Sequence, residues 1–150
     1  MRILFVAALH HPAQLQAAIQ QTPPGQPPPL FAPTVSQHFW ERALHRRGCE
    51  MAIFYRNIPA SGRVSEHHHQ EGITPGKLIA GALNRVPPTF NPEYRRRNRR
   101  LIEQALDFQP DVLWLVGDNT VIYPDTLKHI KQATGCQIIY ASGTSPIVFS

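Results

Sequence analysis

Met1-Arg2-Ile3-Leu4-Phe5-Val6-Ala7-Ala8-Leu9-His10-His11 opens the chain. Asp111-Val112-Leu113-Trp114-Leu115-Val116-Gly117-Asp118-Asn119 answers it near the other end. Each holds a short apolar run, Ile3 to Leu9 and Val112 to Val116, that breaks into polar turn residues. Such runs suit strands buried on both faces, and helical patterns between them indicate parallel strands joined by crossover helices. The expected fold class is α/β, a Rossmann-like three-layer domain with a parallel sheet of at least four strands. With right-handed crossovers, the third strand lies beside the first, on the side away from the second. Ligands of open parallel sheets bind outside the carboxyl ends of the strands, where the winding reverses. His10 and His11 are therefore expected to face Asp118 across one cleft.

The elements between these two ends follow from turn and cap chemistry. Pro12 suits a first helical turn, and Leu15, Ala18 and Ile19 repeat helically, which predicts a short helix from His11 to Gln21. A Pro-rich loop over residues 20–33 opposes both helix and sheet. Thr34-Val35-Ser36-Gln37 matches a capping box, followed by an apolar face of Phe39, Trp40, Ala43 and Leu44, with Gly48 as the stop. Glu50 to Tyr55 reads as the second strand. Residues 58–91 read as irregular, with a short helix possible from Lys77 to Leu83. Asn91 then caps a helix whose first turn holds Pro92 and Glu93 and whose inner face is Tyr94, Leu101, Ile102, Ala105 and Leu106. Pro124 opens a further helix, Gly135 stops it, and Gln137 to Ala141 forms the fourth strand. Ile147-Val148-Phe149 follows without a covering helix, so the sequence is expected to be the amino-terminal part of a longer protein.

A chain of 150 residues suits one domain, here 1–150. Its net charge of +5 permits nucleic acid, acidic membrane surfaces or phosphorylated ligands as partners and selects none of them. Cys49 and Cys136 make no disulfide framework, and no apolar run approaches the ~18 residues of a membrane span. The start of the chain lacks the length and cleavage pattern of a signal peptide. A cytoplasmic location is the expectation.

The turn after the first strand is Ala7-Ala8-Leu9-His10-His11-Pro12, where a dinucleotide-binding chain would carry Gly-x-Gly-x-x-Gly. No Gly-Lys-Ser/Thr occurs either. The histidine pair stands in that place. Imidazole titrates near neutrality and a carboxylate can hold its tautomer, so His10 or His11 with Asp118 is a candidate general-base set. Alternatively, the histidines only cap the strand end and bond the loop backbone. Gly117, Asn119 and Thr120, with Ser142, Gly143 and Thr144, are small polar residues at two strand ends, suited to contact substrate through N–H and hydroxyl groups. Glu66-His67-His68-His69 lacks tetrahedral ligand spacing, so no metal site and no cofactor is expected. Arg95, Arg96, Arg99 and Arg100 form either the solvated face of a helix or a patch for an acidic membrane surface. Nucleic acid is disfavoured as a partner, because no interleaved aromatic residues or nucleic-acid motif accompany them.

Asn98-Arg99-Arg100-Leu101, Phe108-Gln109-Pro110-Asp111, Tyr123-Pro124-Asp125-Thr126-Leu127 and Gln137 to Tyr140 together resemble the amino-terminal domain of the CgeB-like (spore-maturation type) group of GT-B glycosyltransferases. The opening Met1 to Val6 and Leu44-His45-Arg46-Arg47-Gly48-Cys49-Glu50 fit the same domain. The chain departs from that group at Ser142-Gly143-Thr144-Ser145-Pro146, where acidic residues are often found. The resemblance implies sugar transfer from a nucleotide-sugar to an acceptor, without a required metal. It also implies acceptor contacts on this domain and a donor held mainly by a carboxyl-terminal domain. His10 or His11 would then be the base of an inverting enzyme, and this segment alone would be inactive. The other expectation is a non-catalytic Rossmann-like or flavodoxin-like module that binds a ligand or a protein.

Overall fold

The structure, a computed structural model, describes residues 1–58, 91–117 and 121–141. The expected helix at Lys77 to Leu83 and the Glu66 to His69 cluster lie outside these residues. Among the described residues, the order is β1 (Arg2–Ala7), α1 (Pro12–Gln20), α2 (Gln37–Arg46), β2 (Glu50–Tyr55), α3 (Pro92–Phe108), β3 (Val112–Val116), α4 (Pro124–Thr134) and β4 (Gln137–Ala141). The strands form one sheet in the order β2-β1-β3-β4. All three pairings are parallel, with Ile3 opposite both Met51 and Val112, and Val112 opposite Gln137. This is the α/β Rossmann-like arrangement, with β1 and β3 as direct neighbours.

Alternation along the strands divides the core into two layers. Leu4, Val6, Phe54, Leu113 and Leu115 face α3 and α4, which contribute Leu101, Ala105 and Ile130. Ile3, Phe5, Ala7, Val112 and Val116 face the other way, against Phe31, Trp40 and Leu44. On that side Phe5 meets Phe31 edge-on at 5.3 Å, and Trp114 stacks on Trp40 at 5.5 Å. Each such aromatic pair adds about 0.5–1.5 kcal/mol beyond area burial.

Four local expectations are corrected. β1 ends at Ala7, and the Thr34 capping box does not form. Ser36 precedes α2 without a side-chain cap bond, while the Thr34 hydroxyl donates to Gln14 Oε1 on α1. Phe39 is 65% exposed, and the buried residue of α2 is Glu41. On α3, Leu106 points outward and Asn98 is buried in the inner stripe. Both changes have one cause: a buried carboxylate or amide is stable where backbone groups saturate it, and apolarity alone does not reveal those partners.

The amino ends of the strands are laced by Asp111. It accepts the Arg2 backbone N–H at 2.7 Å on Oδ2, while its own N–H donates to Arg2 O and its carbonyl accepts from Gln137 N–H. The Phe108-x-Pro110-Asp111 lead-in thus has a structural task. Gln109, at φ 49°, ends α3, and the Arg2 guanidinium lies 4.6 Å from the Phe108 ring centroid.

Candidate functional site

The carboxyl ends of β1, β2 and β3 meet at a cleft of about 50 Å³ whose lining includes His10, His11, Tyr55, Arg56, Phe31 and Gly117. Thus His10, His11 and Gly117 line one cleft. Asp118, Asn119, Thr120, Ser142, Gly143 and Thr144 lie outside the described residues.

Each wall of the cleft is fixed by backbone chemistry. Asn57, just past β2, accepts the Leu9 N–H on Oδ1 and donates to the Leu9 carbonyl through Nδ2, both at 2.8 Å. One amide side chain therefore extends the β1–β2 pairing by a step, aided by the Arg56 N–H bond to Ala7 O. Leu9 is held this way, and the exposed His10 and His11 follow it into α1. The first turn of α1 has Pro12, no acidic residue and no side-chain cap, so its positive dipole end is not neutralised from within.

Gly117 turns the chain after β3 at φ 74°, a region that disfavours a side chain, and donates to Ala141 O. A Cβ there would lie 3.3 Å from Arg56 Nη2. The same guanidinium reaches the Val116 carbonyl at 3.4 Å, and Arg97 of α3 donates to the Arg56 carbonyl at 2.8 Å. Arg56 is the residue the sequence reading missed. The rule that selected the ends of β1 and β3 applies equally to β2, whose end reads Tyr55-Arg56-Asn57.

The roof is the end of the Pro-rich loop. Glu41 accepts the N–H groups of Leu30 and Phe31 at 2.6 and 3.1 Å, and the Tyr55 hydroxyl donates to the Leu30 carbonyl. Burial, with the Glu41 charge adding to it, pushes the Tyr55 pKa up to about 12. Tyr55 is thus a neutral hydrogen-bond donor throughout the physiological range. Its task is to hold the roof.

Electrostatically, the described lining carries Arg56 and two histidines but no aspartate or glutamate. Among the described residues, no group of three or more His, Cys, Asp or Glu side chains could hold a metal ion. Nor is any described helix long and apolar enough to cross a membrane.

No protein-family model matches the chain, and neither a curated protein nor a solved structure matches it.

Proposed function

We propose that this chain is the acceptor-side domain of a GT-B glycosyltransferase, moving a sugar from a nucleotide-sugar to an acceptor. The observation that carries the reading is the strand-end cleft, where the histidines after β1, Arg56 after β2 and Gly117 after β3 converge beneath the Pro-rich loop. The resemblance of the Asn98–Tyr140 segments supplies the reaction class. In this scheme His10 or His11 takes the proton of the attacking acceptor hydroxyl, with Asp118 behind it. Arg56 offsets negative charge developing on the leaving phosphate. Arg95, Arg96 and Arg99, all exposed on α3, would hold the domain against an acidic membrane surface.

The test is nucleoside diphosphate release from a set of nucleotide-sugars by the protein of the complete reading frame. Turnover should fall about 100-fold or more in whichever of His10→Ala and His11→Ala removes the base, within the usual range for general-base loss. Full activity in both singles and in the double variant rejects the base assignment, and no release from any donor rejects the transferase reading. A second reading, a non-catalytic anion-binding module, is favoured by the lack of carboxylates in the described lining. It predicts saturable phosphate binding without turnover.

A further inference from the structure

A second and larger cleft, of about 440 Å³, lies away from the strand ends, between α1, the Pro-rich loop and α2. Its volume falls within the range of small-molecule sites. One wall is a single face of α2, where His38, Arg42, His45 and Arg46 recur at helical spacing. The opposite face of α2 sends Trp40 and Leu44 to the sheet, so this wall is set by the fold.

The charge on that wall is one-sided. Arg42 and Arg46 are always cationic, and at i,i+4 they stand on neighbouring turns. The one carboxylate among the described lining residues, Glu41, is engaged by the Leu30 and Phe31 amides. His38 Nδ1 lies 3.5 Å from Glu41 Oε2 and makes no hydrogen bond. Two arginines that repel each other at this spacing are relieved by a shared dianion.

The facing wall supplies neutral polar groups. Gln21, Thr22 and Gln26 line it beside Pro23, Pro27 and Pro29. The Thr22 hydroxyl donates to Ala18 O at 2.9 Å, which leaves its oxygen as an acceptor, and the two glutamines offer both donors and acceptors. The proline rings fix φ, and a turn closed by Gln26 N–H on Pro23 O holds Gly25 at φ 85°. Such a wall has little backbone freedom to lose on binding. Among the described lining residues there is no Phe, Tyr or Trp.

We infer that this cleft binds a small polyhydroxylated phosphomonoester of the sugar-phosphate class. Arg42 and Arg46 hold the phosphate, and Gln21, Thr22 and Gln26 bond the hydroxyls. The site does not depend on the sugar-transfer reading, and its test involves no turnover.

Glucose 6-phosphate, inorganic phosphate and glucose are titrated separately into the chain, followed by calorimetry and by amide NMR. Saturable binding of glucose 6-phosphate is expected, with shifts at Gln21, Thr22 and Gln26. Inorganic phosphate should bind more weakly and glucose alone more weakly still. Arg42→Gln/Arg46→Gln should weaken glucose 6-phosphate about tenfold or more, while Arg95→Gln/Arg99→Gln on α3 leaves it unchanged. Both pairs are exposed, so the folded state should persist, as checked by circular dichroism. The inference is overturned by any of three results: no saturation up to about 10 mM, equal loss in the α3 variant, or inorganic phosphate binding as tightly as the ester.

Discussion

Asn98 shows how much one side chain can carry. Its Nδ2 donates to the carbonyls of Tyr94 and Val121, at 2.7 and 2.8 Å, and its Oδ1 accepts the Tyr123 N–H at 2.8 Å. Asn98 is 4% exposed, so these groups have little recourse to water. Asn98→Ala should cost about 2–4 kcal/mol in urea unfolding, because it strands buried backbone groups as well as removing bonds. Asn98→Asp keeps the size but removes both donors, and should be at least as destabilising at neutral pH. Glu41 plays the matching part for the Pro-rich loop. Glu41→Gln replaces a carboxylate that accepts two N–H groups with an amide that accepts through one oxygen. It should cost about 2 kcal/mol, readable in the same experiment.

Tyr55 adds a pH signature. Its folded pKa is raised from 10.0 to about 12, so the folded state holds the proton where the unfolded chain releases it. The contribution is complete below pH 10 and is lost as pH rises through about 12. Unfolding free energy should therefore fall with pH across that window in the native chain. The Tyr55→Phe variant should lack this component of the slope. Equal slopes would mean that the hydroxyl is not held as described.

At the scale of elements, α2 depends on tertiary contacts. It lacks a side-chain N-cap bond, and its apolar contact is narrowed to Trp40 and Leu44. Trp40→Ala removes the stack on Trp114 and should cost about 2–4 kcal/mol, below a fully buried tryptophan because the ring is only partly enclosed. The α1–α2 connection should loosen with it, visible as faster amide exchange at Leu30 and Phe31. By contrast, α3 is over-determined. It has an Asn91 side-chain cap on the Glu93 N–H and a buried Leu101–Ala105 stripe. Gln104 also donates to the Ile53 carbonyl on the edge strand β2, satisfying one open position of that edge.

For the whole molecule, the excess of positive charge is distributed over distinct surfaces. Arg97 and Arg100 are partly committed to β2, through the Arg56 carbonyl and the Phe54 ring. Arg95, Arg96 and Arg99 are exposed on α3. If they seat the domain on an acidic membrane, partition onto phosphatidylserine vesicles should drop about tenfold or more in Arg95→Gln/Arg96→Gln/Arg99→Gln, since each basic residue near such a surface is worth about 1 kcal/mol. Unchanged partition would reject the membrane contact.

The sequence alone determined the sheet. Apolar strands such as Ile3 to Ala7 and Val112 to Val116 must be covered on both faces, and parallel order with short crossovers leaves few arrangements, so β1 beside β3 could be read in advance. The Asn91 cap on Glu93 was legible because the interacting atoms are neighbours in the chain, whereas the equally local Thr34 box lost its hydroxyl to Gln14 on α1. Tertiary structure alone decided what distant groups do. Glu41, Asn57 and Asn98 look like ordinary surface residues until Leu30, Leu9 and Tyr123 arrive to saturate them. Arg56 became part of the strand-end cleft only when β2 was placed at the sheet edge beside β1. Apolar burial leaves a periodic mark in sequence, whereas a hydrogen bond between remote segments leaves none.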